Sequence, residues 1–239
     1  MANAASAGQP VAPPIAMQGG VLWLAAFLLA AGNFMVVLDM TIANVSVPNI
    51  AGSLAVAPNQ GTWVITSYSV AEAIVVPLTG WLAQRFGAVR VFVAGMIGFG
   101  ICSALCGLAP SLGFLVLFRV MQGICGGPIM PMSQALLMRV FPPQQRAQAM
   151  ALWSMTVVVA PIAGPILGGV ICDNASWPWV FYINVPVAAV CGFFAWRMLR
   201  SQETATESRR IDFLPMRDNE FRLGSTTMPN SAKHYKLYR

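Results

Sequence analysis

Six long apolar runs dominate the chain, and the polar positions fall almost entirely between them. The runs are Val21–Val47, Thr62–Ala83, Val89–Leu108, Leu112–Met138, Ala147–Ile171 and Trp179–Met198. Each is long enough for a helix to cross a bilayer, which takes about 20 apolar residues. The connections are Pro48–Gly61, Gln84–Ala88, Ala109–Ser111, Arg139–Arg146 and Cys172–Pro178. Links this short predict antiparallel, up-and-down neighbours. The pattern therefore predicts an all-α integral membrane protein with six transmembrane helices. Residues 1–20 are uncharged and rich in Ala, Gly and Pro, and read as a disordered leader. Residues 21–200 form the helical bundle. Residues 201–239 read as a polar tail with no apolar run long enough to span.

Charge sharpens this picture. Only 9% of the residues are charged, against 57% hydrophobic, where a soluble domain carries roughly 25% charge. The formal net charge is +6, but no basic patch is interleaved with aromatic residues, so the excess does not predict nucleic-acid binding. It predicts topology. Arg85 and Arg90 mark one connection, Arg139 and Arg146 another, and Arg197, Arg200, Arg209 and Arg210 follow the last run. The intervening connections hold no Lys or Arg. This asymmetry places both termini in the cytoplasm. Trp63, Trp177 and Trp179 then lie at outer run ends and Trp23, Trp81 and Trp196 at inner ones, the expected aromatic belts. The five cysteines, at 102, 106, 125, 172 and 191, have no zinc spacing and read as small buried fillers, so no metal is expected.

Three ionisable residues lie within the runs: Asp39, Glu72 and Arg119. Each costs at least ~2.5–3.5 kcal/mol near the bilayer centre, which packing gives no reason to retain. At 1.5 Å per residue, Asp39 lies ~12 Å and Arg119 ~10 Å from the outer surface, so the two can meet at one level. Glu72 falls ~15 Å down, near the midplane. A desolvated carboxylate takes up a proton unless a cation is close. An acid paired in one state and unpaired in another can thus load and release a proton. Gln122 shares the Arg119 face at i+3, and Asn33, Thr41, Asn44 and Gln134 add uncharged hydrogen-bonding groups. The only histidine is His234, in the tail. No Ser–His dyad or HExxH zinc site can form in the membrane, and an Asp39–Glu72 dyad has no supporting motif, so an enzyme is not expected.

The fifth run contains Ala160-Pro161-Ile162-Ala163-Gly164-Pro165-Ile166-Leu167-Gly168-Gly169. Ala160, Gly164 and Gly168 recur at i, i+4 and i+8, a stripe that lets another helix approach backbone to backbone. The stretch reads either as a packing face or as a bent helix at the pivot of a moving bundle.

Four segments together resemble a known family: the drug:proton antiporters of the major facilitator superfamily, in the fourteen-helix branch typified by EmrB and QacA, and above all its EmrB-type members. Leu38-Asp39-Met40-Thr41-Ile42-Ala43-Asn44-Val45-Ser46-Val47-Pro48 is similar to that branch's first-helix motif. Gly80-Trp81-Leu82-Ala83-Gln84-Arg85-Phe86-Gly87-Ala88-Val89-Arg90 resembles the superfamily's cytoplasmic loop, although Gln84 stands where an acidic residue is usual. Phe118-Arg119-Val120-Met121-Gln122-Gly123 resembles the fourth-helix arginine motif, and Ala160–Gly169 the fifth-helix antiporter motif.

The resemblance covers Val21 to about Asp212 and implies the N-terminal half-bundle of a facilitator, with the first and fourth helices lining a cavity. It implies a proton-coupled multidrug efflux transporter of the bacterial inner membrane, associated with antibiotic resistance and driven by the proton gradient without a cofactor. Small amphipathic drugs, membrane lipid, a periplasmic adaptor and an outer-membrane channel are the implied partners. It also implies that Gly80 and Gly87 allow tight packing of the loop, and that Arg85 and Arg90 pair there. Past Asp212 the sequence departs from the family, so a truncated or frame-shifted first half is expected. Such a chain is either part of the exporter or a transport-inactive six-helix remnant or assembly module.

Overall fold

The computed structural model describes residues 19–203; the predicted leader and tail lie almost wholly outside them. Six helical spans are present: α1 Gly20–Ser53, α2 Pro58–Phe86, α3 Ala88–Gly107, α4 Leu112–Val140, α5 Pro143–Asn174 and α6 Trp179–Gln202. All six are long and apolar enough to cross a membrane. The described residues contain no strand.

Two details differ from the sequence-based expectation. The first helix does not stop at Pro48 but runs on to Ser53 with Pro48 inside it. Proline removes one backbone N–H and leaves the carbonyl four residues earlier without its partner. That carbonyl belongs to Asn44, and both Asn44 and Pro48 are exposed, so the carbonyl can be solvated. Fourteen residues thus separate Asp39 from the helix end, ~21 Å and not ~12 Å. The α1 end overruns the start of α4 by about 10 Å, since Asp39 and Arg119 still meet.

Secondly, three spans are interrupted. A 3₁₀ turn at Val76–Leu78 follows the α-helix Trp63–Val75 in α2. In α4 the helix ends at Gly126 and restarts at Ile129. In α6 a short helical turn, Trp179–Tyr182, gives way at Ile183 to a helix from Asn184 to Leu199. By contrast α5 is helical without a break from Arg146 to Asn174, with Pro161 and Pro165 inside it.

The core lies between α1, α3, α4 and α6, with Leu29, Met35, Phe92, Met96 and Phe99 essentially sealed from solvent. Lipid is as apolar as these side chains, so what binds the helices is close packing and interhelical hydrogen bonding. The small-residue stripe of α5 shows this. Ala160, Gly164 and Gly168 are buried, whereas Pro161, Ile162, Pro165 and Ile166 are exposed. The buried stripe faces α1, and a Cβ on Gly164 would overlap the Thr41 side chain. One at Gly168 would stand 3.3 Å from the Ile42 carbonyl oxygen. Thr41 Oγ1 also reaches the Ala160 carbonyl at 3.4 Å. Of the motif's glycines, Gly169 alone is half-buried, with open space where a side chain would project.

Candidate functional site

Asp39 and Arg119 are both fully buried and face each other across the α1–α4 interface. Arg119 Nη1 donates to Asp39 Oδ2 at 2.6 Å. The same Nη1 donates to Gln122 Oε1 at 2.8 Å. Gln122 Nε2 in turn donates to Asp39 Oδ1 at 3.2 Å, closing a ring of acid, base and amide. The i+3 spacing puts Arg119 and Gln122 on one helix face, as one turn requires. Arg119 Nε donates to the Val64 carbonyl at 3.0 Å, tying α4 to α2. The guanidinium lies 4.4 Å from the Tyr68 ring centre and 5.5 Å from that of Phe181. Aromatic faces attract a desolvated cation. Its Nη2 has no hydrogen-bond partner among the described residues. Burying an ion costs several kcal/mol, which good geometry and added hydrogen bonds must offset. Arg119 meets that condition through its acid, its amide, a carbonyl and two rings.

The close approach of α2 to α4 depends on Gly123. A Cβ there would lie 2.9 Å from that of Ala71 and would press on the Tyr68 carbonyl. Glycine therefore brings Val64 and Tyr68 within reach of Arg119. Glu72 sits one turn past Tyr68 but stands apart from the pair. It is half-buried, and its side chain makes no hydrogen bond or ion pair with a described residue.

Sequence reasoning did not single out two members of this site. Asn184, at the restart of α6, donates from Nδ2 to Asp39 Oδ1 at 2.6 Å. Ser103, on α3, accepts from the same Nδ2 at 3.2 Å and donates to the Phe181 carbonyl at 2.8 Å. Neither residue carries charge. The only available signal was a polar residue inside an apolar run.

The remaining polar candidates lie outside this network. Asn33 donates to Thr156 Oγ1 at 2.7 Å, whereas Asn44 and Gln134 are exposed. Beside Thr156 lies an apolar cleft of about 310 Å³ between α1 and α5, walled by Phe27, Phe34, Met155 and Val159.

At the opposite end of the bundle from Ser53, the Gly80–Arg90 loop is organised by one acid. Glu203 accepts from the backbone N–H groups of Val89 at 3.0 Å and Arg90 at 3.1 Å. Arg90 Nε stands 3.8 Å from the same carboxylate. The first N–H groups of a helix have no partner within it and favour an anion, so Glu203 caps α3. Gly87 has φ +94°, and a Cβ there would run into the Glu203 carboxylate. The tight packing expected at Gly87 is present. That expected at Gly80 is not: Gly80 is exposed, and no described residue comes within 4 Å of where its Cβ would lie. Arg85 is exposed in the last turn of α2, where a cation complements the helix dipole. Arg139 Nη2 reaches the Glu203 carbonyl at 3.3 Å.

Comparison with known proteins places this geometry in context. The family model described as Major Facilitator Superfamily matches residues 9–228. The multidrug export protein EmrB of Escherichia coli (strain K12) is 53% identical over 196 residues, 82% of this chain and 38% of that protein. The fatty acid resistance protein FarB of Neisseria gonorrhoeae is 52% identical over 202 residues, 84% of this chain and 39% of that protein. The chain thus spans about two fifths of the length of these relatives, within their N-terminal half. Among solved structures, a bacterial homologue of the human lysosomal transporter Spinster, inward-facing and occupied, superposes with TM-score 0.68 at 19% identity. It covers 81% of this chain and 48% of that one. The proton:xylose symporter XylE superposes with TM-score 0.66 at 14% identity, covering 76% and 47%. At these identities the two structures establish the fold alone.

Proposed function

The chain belongs to the Major Facilitator Superfamily, and from that premise we propose that it supplies the proton-coupling half of a multidrug exporter. In this reading the protein exchanges an inward-moving proton for an outward-moving apolar or amphipathic drug across the bacterial inner membrane, with both termini in the cytoplasm. It is a transporter and not an enzyme. The gradient drives it, and no cofactor takes part. The observation that carries the reading is the sealed Asp39–Arg119 pair with its Gln122 amide. Packing between apolar helices gains nothing from such a pair, and intramembrane charges mark ion pathways.

Asp39 is the proton carrier: in one state it bonds Arg119, and in the other a proton takes that place. Gln122 hands Arg119 an acceptor while the acid is neutral. Glu72, apart from the pair, serves as a second polar point on the pathway. Gly87, Arg85 and Arg90 form the cytoplasmic gate with Glu203, and Gly80 belongs to the same loop. The antiporter motif, Ala160 to Gly169, transmits movement of α5 to the α1 segment that holds Asp39, because Gly164 leaves no slack against Thr41. The α1–α5 cleft, aromatic-walled and uncharged, suits amphipathic drugs. The kinship with FarB extends the candidate cargo to fatty acids. A periplasmic adaptor and an outer-membrane channel complete the route in this proposal.

The test is drug-dependent proton flux in proteoliposomes holding a transporter that contains this segment. Asp39→Asn abolishes the flux; unchanged flux in that variant removes Asp39 as carrier. A second reading, a six-helix module that acts only when paired with another bundle, is favoured by the exposed apolar face of α5, where Met155, Val158, Ile162 and Ile166 are each 63–65% exposed. Dye transport by the 239-residue chain alone would reject that reading, and rescue by a second-half polypeptide would support it.

A further inference from the structure

We infer that Asn184 is a positioning residue for the Asp39 carboxylate, and that it fixes Oδ2 as the atom at which Arg119 and a proton trade places. The inference rests on the proton-exchange reading of Asp39. It adds a residue from α6, a helix outside the α1–α4 pair of the motifs.

The orientation of the Asn184 amide follows from its neighbours. Ser103 spends its only hydroxyl proton on the Phe181 carbonyl, 2.8 Å away. Its oxygen can then only accept, so the Asn184 atom 3.2 Å from it must be the NH₂ group. The same NH₂ lies 2.6 Å from Asp39 Oδ1. Both Asn184 and Ser103 are sealed from solvent. The backbone holds the amide there. The chain restarts its helix at Asn184 after Ile183, with Pro186 in the first turn, where a missing N–H costs nothing.

The two carboxylate oxygens therefore differ. Oδ1 receives two amide donors, Asn184 Nδ2 from α6 and Gln122 Nε2 from α4. Among the described residues, Oδ2 receives Arg119 Nη1 alone. Two donors from different helices fix the plane of the carboxylate and occupy Oδ1. When the Arg119 hydrogen bond to Oδ2 breaks, one O–H bond forms there; the proton comes from hydronium on the side then open, which is left as water. The Oδ1 amides stay in place through both states. The carboxylate becomes neutral while Arg119 keeps its charge, so the site gains the single positive charge that the proton carries.

The experiment reads the Asp39 carboxylate itself. The full chain is purified with ¹³C-carboxyl aspartate, and the Asp39 infrared bands are isolated as those lost in Asp39→Asn. In Asn184→Leu, which removes the donor at similar volume, the Asp39 carboxylate bands move from their wild-type positions. In Ser103→Ala, which deletes one oxygen and frees the amide to turn, they move the same way by less. Thr156→Ala, which removes a half-buried hydroxyl that does not touch Asp39, leaves them fixed. If Asn184→Leu does not fold, Ser103→Ala decides. Bands that coincide with wild type in the folded variants overturn the inference. That result would leave the transport proposal standing, because the proton-flux test with Asp39→Asn is independent of it.

Discussion

Asp39→Leu strands a charge that cannot be neutralised. A guanidinium does not give up its proton in a protein, so Arg119 must remain a buried cation. Breaking a buried pair by removing one partner costs roughly 3–5 kcal/mol. The structure places this site toward the lower end, because Arg119 keeps Gln122 Oε1, the Val64 carbonyl and the faces of Tyr68 and Phe181. A loss of about 3 kcal/mol corresponds to a melting temperature lower by roughly 6–12 °C for a chain of this size. Asp39→Asn keeps an acceptor and loses about half as much, near the ~1.5–3 kcal/mol of a charged hydrogen bond. The double variant Asp39→Leu, Arg119→Leu removes both charges and recovers most of the loss, leaving a coupling energy above ~1 kcal/mol. Thermal unfolding of wild type, Asp39→Leu, Arg119→Leu and the double variant in nanodiscs measures this cycle, with Asp39→Asn melted beside them. Equal melting of Asp39→Leu and wild type, or simple additivity in the double variant, would refute the burial argument.

Three further outcomes follow from close contacts. Gly164→Val overpacks the α1–α5 seam and costs about 1–3 kcal/mol, and Thr41→Ala recovers part of it in the same unfolding assay. Gly123→Leu forces α4 from α2 against Tyr68 and Ala71 and costs about 1–3 kcal/mol in the same unfolding assay, whereas unchanged melting removes Gly123 as the spacer. Gly87→Ala must place a side chain at φ +94° against Glu203, a region that costs about 1–3 kcal/mol outside glycine. Hydrogen exchange at Val89 and Arg90 rises in that variant and in Glu203→Gln.

Much of this architecture was legible in the sequence because lipid imposes a simple rule. A run of about 20 apolar residues must be a helix, and the six spans match the six runs. Asp39 and Arg119 stood out because charge within such a run is costly, and counting residues from the run ends put them at one level. The absolute depth of Asp39 was short because α1 continues past Pro48. Proline signals a helix end only when the carbonyl it orphans has nowhere to turn. Asn184 and Ser103 were hidden for a different reason. Uncharged polar residues within spans often only glue helices, and nothing in linear order links residue 184 to residue 39. Glu203 lay just beyond the last apolar run, where an acid looks like an ordinary surface charge. Its role depends on α6 ending beside the start of α3. Gly80 and Gly87 looked equivalent in the loop motif, yet only Gly87 takes a left-handed φ and meets a neighbour.

The central claim is that a membrane bundle shelters this acid and guanidinium while its connections alternate between two aqueous faces. Thiol labelling tests it directly, using single cysteines at 39, 111 and 139 in a chain freed of its native cysteines; Ser111 and Arg139 are both exposed. The account predicts that an impermeant reagent reaches 111 and 139 from opposite sides of the membrane and leaves 39 unlabelled from both. Labelling of 111 and 139 from one side, or ready labelling of 39 by the impermeant reagent, would contradict it.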